Sequence, residues 1–312
     1  MTNNLLNAIR WQHFPIGASA AVGHVNLSVG EIGNGGPTAL ISAGVHGDEG
    51  PWGAWAIRKL LERLTPDQLI GTLRIVPVAN PLAMEADARN APLDVLDLNR
   101  VFPGDPNGSH TERLAAALVA NAVNGADVVI DLHGGGSWCV NAFAFQFAGG
   151  EDLAQAFHAP FLVTGPDRSV TLTGYARSQG ARVAAIEQGG RSELEEQWAE
   201  RIATGLRRAL GVAGVLTPLE DDMIPAESIA VRPSKVLRPS SGGVFIPQVR
   251  ASSVGTIVPG GTVLGHLLDP VTQAIIETFE APFERTALML LRPFAARIEG
   301  GAMTYVVAEP MS

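Results

Sequence analysis

Between residues 37 and 210 the chain alternates short runs of apolar, often β-branched residues with longer stretches in which apolar residues recur every three or four positions. The short runs predict strands and the periodic stretches predict helices. The predicted strands are Thr38–Val45, Thr72–Ala79, Asp127–Leu132 and Arg182–Ile186, and the predicted helices are Trp52–Leu64, Thr111–Val123, Glu151–His158 and Ser192–Leu210. This alternation is typical of an α/β domain with a mostly parallel sheet and crossover helices.

After Leu210 the pattern changes. The segment Thr217–Glu227 is rich in Pro and Asp and predicts a linker. From residue 229 onwards the apolar runs are short and separated by glycine, and helical periodicity is almost absent, which predicts a small β-sandwich or barrel. We therefore predict an α/β domain at residues 1–225 and an all-β domain at residues 226–312.

The glycine-separated strands of the second predicted domain resemble the barrel-sandwich fold of lipoyl and biotinyl carriers. Those carriers need a lysine at an exposed hairpin, and no lysine follows Lys235. A carrier role is therefore excluded, and we expect this domain to cover a cleft in the first one.

Composition narrows the classes of partner. The net charge is −9, from 22 Lys and Arg against 31 Asp and Glu. Binding to nucleic acid or an anionic membrane requires a clustered basic surface, so neither is expected as a partner. No run of 18 apolar residues predicts a membrane span, and residues 1–16 lack the basic start and apolar stretch of a signal peptide. We expect a cytoplasmic protein.

The histidines and carboxylates suggest a metal site. Cys139 is the only cysteine, so a metal would be held by His and Glu or Asp. His46 and Glu49 directly follow the first predicted strand, and His133 follows the third. Carboxyl ends of parallel strands meet at one edge of a sheet. Two His and one Glu with a fourth position open to water is a catalytic zinc arrangement, so the sequence predicts one Zn²⁺ per chain.

Other polar residues allow more than one interpretation. Glu187 fits a helix cap as well as a catalytic carboxylate, and Arg89 fits a surface ion pair with Asp87 or Asp94. Asp131 would orient His133 if its side chain turned inward, and a structural hydrogen bond fits equally well. Cys139 has no obvious activating partner and is interpreted as packing.

The motifs taken together resemble a known family. His-x-x-Glu with a distant His at a strand end, the segment Asp97–Gly104 and a strand that ends in Glu187 are similar to the succinylglutamate desuccinylase and aspartoacylase family. The resemblance covers roughly Pro37–Gly190. It implies the zinc-carboxypeptidase fold, a mixed sheet flanked by helices, with a trailing β domain. It also implies zinc-dependent hydrolysis of the amide bond of an N-acyl amino acid.

The resemblance assigns roles position by position. The zinc ligands of the family correspond to His46, Glu49 and His133. Glu187 corresponds to the general acid/base and Arg89 to the arginine that faces the scissile carbonyl. Asn99 and Arg100 correspond to the pair that holds the substrate carboxylate. Arg177 corresponds to an arginine that binds a second substrate carboxylate in aspartoacylase-like members.

Two other functions stay open on the sequence. A metallocarboxypeptidase would act on peptides through the same zinc and glutamate, although it needs an open cleft, which a covering β domain would restrict. A non-catalytic binding protein could keep the fold. The expected partner is a small-molecule N-acyl amino acid, whereas its acyl group, its amino acid and a homo-oligomeric state are left open.

Overall fold

The computed structural model describes residues 4–20, 23–220 and 227–311. The first two thirds of the chain contain eight strands within these ranges. In chain order they are β1 Arg10–Ser19, β2 Gly23–Ile32, β3 Thr38–Ala43, β4 Thr72–Val76, β5 Val128–His133, β6 Val140–Gln146, β7 Phe161–Thr164 and β8 Arg182–Gly189. The helices that connect or follow them are α1 Gly50–Arg63, α2 Pro81–Glu85, α3 His110–Leu118, α4 Glu151–Gln155, α5 Leu172–Ser178 and α6 Glu195–Val212.

The remaining strands follow residue 226. They are β9 Ile229–Ala230, β10 Lys235–Leu237, β11 Gly243–Pro247, β12 Ile257–Pro259, β13 Val263–Leu268, β14 Ile275–Glu280, β15 Arg285–Leu291, β16 Ala296–Ile298 and β17 Tyr305–Ala308. The main sheet, thirteen strands within the described ranges, runs in the order β1-β2-β4-β3-β5-β8-β6-β15-β17-β10, with β12, β7 and β9 paired beside this path. A second sheet has the order β14-β13-β11-β16.

The centre of the main sheet is parallel and its flanks are antiparallel. Strand β3 pairs in parallel with both β4 and β5, and β5 pairs in parallel with β8. Strand β6 then pairs antiparallel with β8 on one side and with β15 on the other. The predicted fold class, a mixed sheet flanked by helices and followed by an antiparallel β region, is confirmed.

Helices cover both faces of the parallel centre. Helix α1 buries Ile57 and Leu60 on one face of the sheet, where α6 packs beside it with Leu206. On the opposite face, Leu114 of α3 and Leu172 of α5 belong to a second apolar cluster. Both clusters follow from helical periodicity, because residues three or four apart share one face of a helix. The parallel strands are therefore buried on both sides.

The predicted elements in residues 37–210 all exist, and their bounds differ by a few residues. The third strand of the prediction differs by one residue at each end and includes His133 in the structure. The hairpin of β1 and β2, by contrast, was not predicted. No helix among the described residues is long and apolar enough to cross a bilayer.

The two predicted domains share one sheet. Strand β15 pairs with β6 through Leu290 opposite Asn141 and Leu291 opposite Val140, so the main sheet continues across the predicted boundary at residue 225. Most of the predicted linker, residues 221–226, lies outside the described residues. The division of the chain into two domains stays a prediction.

The layer formed by α1 generates a stability prediction. Leu60 is 2% exposed in the core between α1, α6 and the sheet. We expect Leu60→Ala to lower the free energy of unfolding by about 2 to 5 kcal/mol, since it removes buried methyl groups and leaves a cavity. Arg58→Ala on the exposed side of the same helix is the matched control, with an expected loss of about 0.5 kcal/mol or less. Equal losses in urea unfolding would contradict this packing.

Candidate active site

The predicted metal ligands lie where neighbouring parallel strands end. His46 comes three residues after β3, and His133 is the last residue of β5. Glu49 closes the single 3₁₀ turn Gly47–Glu49 that leads into α1. Because β3 and β5 are adjacent and parallel, both histidines project at the same edge of the sheet.

A glycine fixes the turn that carries Glu49. A Cβ atom on Gly47 would lie 2.0 Å from the carbonyl carbon of Ala83, so only glycine fits at this approach. The backbone N–H groups of Gly47 and Asp48 donate to the carbonyl oxygens of Arg89 and Ala88. The turn is therefore held against the segment that follows α2, and Arg89 is brought to the site.

The three predicted ligands converge. His46 Nδ1 lies 2.9 Å from Glu49 Oε1, and His133 Nδ1 lies 2.8 Å from Glu49 Oε2. One ligand atom from each of the three residues lies within 4.8 Å of the other two. The side chains are only 4 to 10% exposed. Two imidazole nitrogens and a carboxylate oxygen at this spacing fit the ligand set of a catalytic zinc site.

The opposite nitrogen of each imidazole contacts a carboxylate. His133 Nε2 lies 2.8 Å from Asp131 Oδ2, and His46 Nε2 lies 3.2 Å from Asp97 Oδ1. Such contacts fix the orientation of a ligating histidine and leave its other nitrogen free for the metal. Asp131 therefore does turn inward. The sequence interpretation missed Asp97, although it stands inside the motif that includes Asn99.

The electrostatics of the group favour positive charge. Burial lowers the pKa of His46, but Glu49 and Asp97 outweigh it and raise that pKa above its ordinary value. The pKa of His133 is raised well above its ordinary value, because Asp131 and Glu49 outweigh its burial. Burial opposes ionisation of Glu49, yet the two imidazoles hold its pKa well below the usual range. This is an environment that suits a bound cation.

Glu187 lies one strand away from the ligands. It occupies the register position beside His133 in the pair β5–β8, and its Oε2 accepts a hydrogen bond of 2.8 Å from Asn141 Nδ2 on β6. Burial, with a further contribution from the charge of Glu49, raises the pKa of Glu187. A carboxylate with a raised pKa can accept and return a proton near neutral pH. The sequence carried one signal for Asn141, a polar residue in an otherwise apolar strand.

Arg89, Asn99 and Arg100 also line the same cavity. Arg89 Nη2 donates to Asp97 Oδ2 at 3.0 Å, and its Nη1 lies 3.4 Å from Glu49 Oε1. Asn99 Nδ2 lies 3.4 Å from His133 Nε2, and Arg100 is exposed beside it. These predicted residues thus line the same cavity as His46, Glu49 and His133, and their roles stay predictions.

Arg177 is placed elsewhere. It lies on α5, pairs with Asp167 at 3.6 Å and is not among the residues that line the cavity. Arg168, in the loop before α5, does line the cavity and is exposed. The predicted contact of Arg177 with a second substrate carboxylate stays untested.

The cavity has a volume of about 540 Å³ and walls from both halves of the chain. Its size lies within the usual range for small-molecule sites. The later half contributes strand residues and loop residues that no sequence motif indicated, namely Ser234, Val236, Arg238, Leu290, Met303 and Val306. These residues do more than cover a cleft, because Leu290 and Val306 lie in the main sheet.

Comparison with known proteins gives the family. Residues 35–213 match the model of the succinylglutamate desuccinylase/aspartoacylase catalytic domain. The match spans more than half of the chain, and the chain belongs to this family. The resemblance inferred from the motifs is therefore confirmed.

Individual relatives agree with this assignment. The chain is 30% identical to an N-alpha-acetyl-L-2,4-diaminobutyric acid deacetylase of Halomonas elongata, over 93% of this chain and 87% of that protein. A solved succinylglutamate desuccinylase/aspartoacylase from Rhodobacter sphaeroides is 26% identical, covers 97% of this chain and 95% of its own, and has a TM-score of 0.80. A product-bound ectoine utilization protein from Ruegeria pomeroyi is 25% identical, with coverages of 98% and 95% and a TM-score of 0.80.

The aspartate behind His133 generates a prediction for metal binding. We expect Asp131→Asn to weaken zinc affinity about 10- to 100-fold, since the imidazole loses the carboxylate that orients it. Competition against a chelator would measure the affinity. Asp127→Asn, at the exposed opposite end of the same strand segment, is the matched control and should keep the affinity of the unaltered chain. Equal weakening in the two variants would refute the orienting role.

Proposed function

We propose that this protein hydrolyses the amide bond of N-acyl amino acids with one zinc ion held by His46, Glu49 and His133. The observation that carries the proposal is the convergence of these three side chains beside Glu187 at the wall of one cavity. The names of its relatives, deacetylase, desuccinylase and aspartoacylase, support amide hydrolysis as the reaction class.

Glu187 and the bound zinc ion would have different roles in the reaction. When bound, zinc supplies Lewis-acid chemistry that activates water and polarises the scissile carbonyl. Glu187 takes the proton of the attacking water and later delivers it to the leaving amine nitrogen, which its raised pKa favours. Asn141 holds the Glu187 carboxylate through the hydrogen bond to Oε2.

Arg89 and Arg100 each stabilise a negative charge on the substrate. Arg89 stabilises the oxygen that becomes negative as water adds to the carbonyl, and a preorganised donor of this kind is worth on the order of 3 kcal/mol. Arg100, beside Asn99, binds the carboxylate of the amino acid, since a guanidinium matches a carboxylate with two hydrogen bonds. Arg177 has no part in this proposal.

Two alternatives are separated by the substrate. A carboxypeptidase would need room for a peptide, and strands β10, β15 and β17 wall the cavity on one side, which favours a small substrate. A binding protein would hold the same molecule without turnover. Amine release from N-acetyl, N-succinyl and N-formyl amino acids and from short peptides, with zinc content measured in parallel, distinguishes the three. Amine release confined to the peptides, or none at all, would refute the proposal.

Glu187 generates a direct test of the mechanism. We expect Glu187→Gln to lower kcat about 10²- to 10⁴-fold with zinc content retained, because the amide cannot accept the proton. Glu193→Gln, an exposed residue shortly after β8, is the matched control and should keep full activity. Loss of zinc in Glu187→Gln, or undiminished turnover, would contradict the assignment.

Asn141 generates a prediction for the pH profile. Its hydrogen bond favours the ionised form of Glu187 and lowers that pKa. Asn141→Ala removes the donor, so the pKa of Glu187 rises and the acidic limb of kcat/KM moves to higher pH. Asn121→Ala, whose amide donates to the Ala117 carbonyl away from the cavity, serves as control. An acidic limb that stays in place or moves to lower pH would disprove the contact's role.

A further inference from the structure

The cavity joins two regions of different chemistry. Its acidic lining residues, Asp48, Glu49 and Glu187, are gathered at the metal end. Beyond Glu187, the floor of the cavity is apolar over several strands. An N-acetyl group would occupy only a small part of this floor.

The apolar floor is built from residues on successive strands. Leu290 lies in register with Asn141, which also lines the cavity, and Phe143 lies two residues further along β6. Phe143 on β6 lies opposite Glu187 on β8. On the far side of β6, Leu290, Val306 and Val236 are direct register partners across β15, β17 and β10. We call these four apolar residues, Phe143, Leu290, Val306 and Val236, the apolar floor. Since neighbouring strands lie about 4.8 Å apart, the four steps from β8 to β10 span about 19 Å.

Further apolar side chains pack beside the floor. Phe145 packs edge-on against Phe143, with ring centroids 5.3 Å apart, and also lines the cavity. Trp138 and Met303 also line the cavity and pack against the apolar cluster that contains Phe143, Leu290 and Val306. Arg292 holds both, with its guanidinium 4.3 Å from the centre of the Trp138 ring and a hydrogen bond from Nη2 to the Met303 carbonyl. The apolar region is therefore a continuous lining of packed side chains.

The order of residues across the sheet, combined with the proposed role of Asn99 and Arg100 in binding the amino acid carboxylate, indicates which part of a substrate meets this floor. His133, Glu187 and Phe143 follow one another in register across β5, β8 and β6. Asn99 lies on the side of His133, so an amino acid carboxylate held there leaves the scissile amide over Glu187. The acyl group then extends past Glu187 towards Phe143.

We propose that the apolar floor is the acyl subsite of this enzyme, and that its substrates carry an aliphatic or aromatic acyl group longer than acetyl. The inference rests on the proposed function. The exposed arginines Arg168 and Arg238 line the same cavity and could bind a carboxylate. The alternative is therefore an acyl group that ends in a carboxylate. The four uncharged side chains of the floor favour the apolar group, since burying a carboxylate against them would be costly.

A chain-length series tests the subsite on the zinc-loaded full chain. One amino acid, the one released fastest from the N-acetyl panel, is offered with acetyl, butanoyl, hexanoyl, phenylacetyl and succinyl groups. We expect kcat/KM to rise from acetyl to hexanoyl by about tenfold or more, because each methylene accepted by an apolar pocket improves discrimination. The succinyl compound should fall below the butanoyl compound of equal chain length.

A variant that fills the floor separates this subsite from the rest of the site. Val306→Phe places a larger side chain at the middle of the apolar floor, and we expect the ratio of kcat/KM for hexanoyl over acetyl to fall about tenfold. Val236→Phe, at the half-buried far end of the floor, is a second filling variant that keeps the test valid if Val306→Phe fails to fold. Val263→Phe, on β13 outside the cavity, is the matched control and should leave the ratio unchanged.

The outcomes distinguish the two proposals. A flat or falling chain-length series with clear turnover, a preference for succinyl, or an unchanged ratio in both filling variants would overturn the apolar subsite while the proposed function stands. Absence of turnover with every acyl group would overturn the proposed function and this inference with it.

Discussion

One carboxylate shared by two imidazoles organises the whole site. Glu49 reaches Nδ1 of His46 with one oxygen and Nδ1 of His133 with the other. This contact requires β3 and β5 to be parallel neighbours, and it requires the turn after β3 to lie against Ala83, which Gly47 alone permits. A slip of one residue in β5 would turn His133 to the other face of the sheet. The packing of the sheet therefore determines how His46, Glu49 and His133 are placed relative to one another.

The remaining charges balance this arrangement. Asp131 and Asp97 take the opposite nitrogens of the imidazoles, and Arg89 contacts both Asp97 and Glu49. Buried carboxylates are tolerated when they are paired and hydrogen-bonded. The ligand atoms of His46, Glu49 and His133 therefore lie close together with the carboxylate charges around them paired. Arg89 lies at the wall of the same cavity.

The sequence predicted the parts of the site that are local or that lie at strand ends. His46, Glu49 and His133 were predictable because a short motif and the end of a buried strand place them without knowledge of distant contacts. The contact of Asn141 with Glu187 depends on the antiparallel register of β6 and β8, which no periodicity encodes. The pairing of β15 with β6 joins residues about 150 positions apart, so the composition change near residue 217 predicted two domains and gave no indication of a shared sheet.

The two parts of the shared sheet contribute different residues to the site. The parallel centre supplies Glu187 and the three residues that we propose as metal ligands, all at or next to the ends of its strands. The antiparallel flank supplies Leu290, Val306 and Val236, whose register partners include none of His46, Glu49, His133 and Glu187. If the apolar floor binds the acyl group as we propose, substitutions on the flank would change which acyl group fits without moving Glu187 or the proposed metal ligands. Because β6 pairs with both regions, it is the strand through which a change of specificity would disturb Glu187, by way of Asn141.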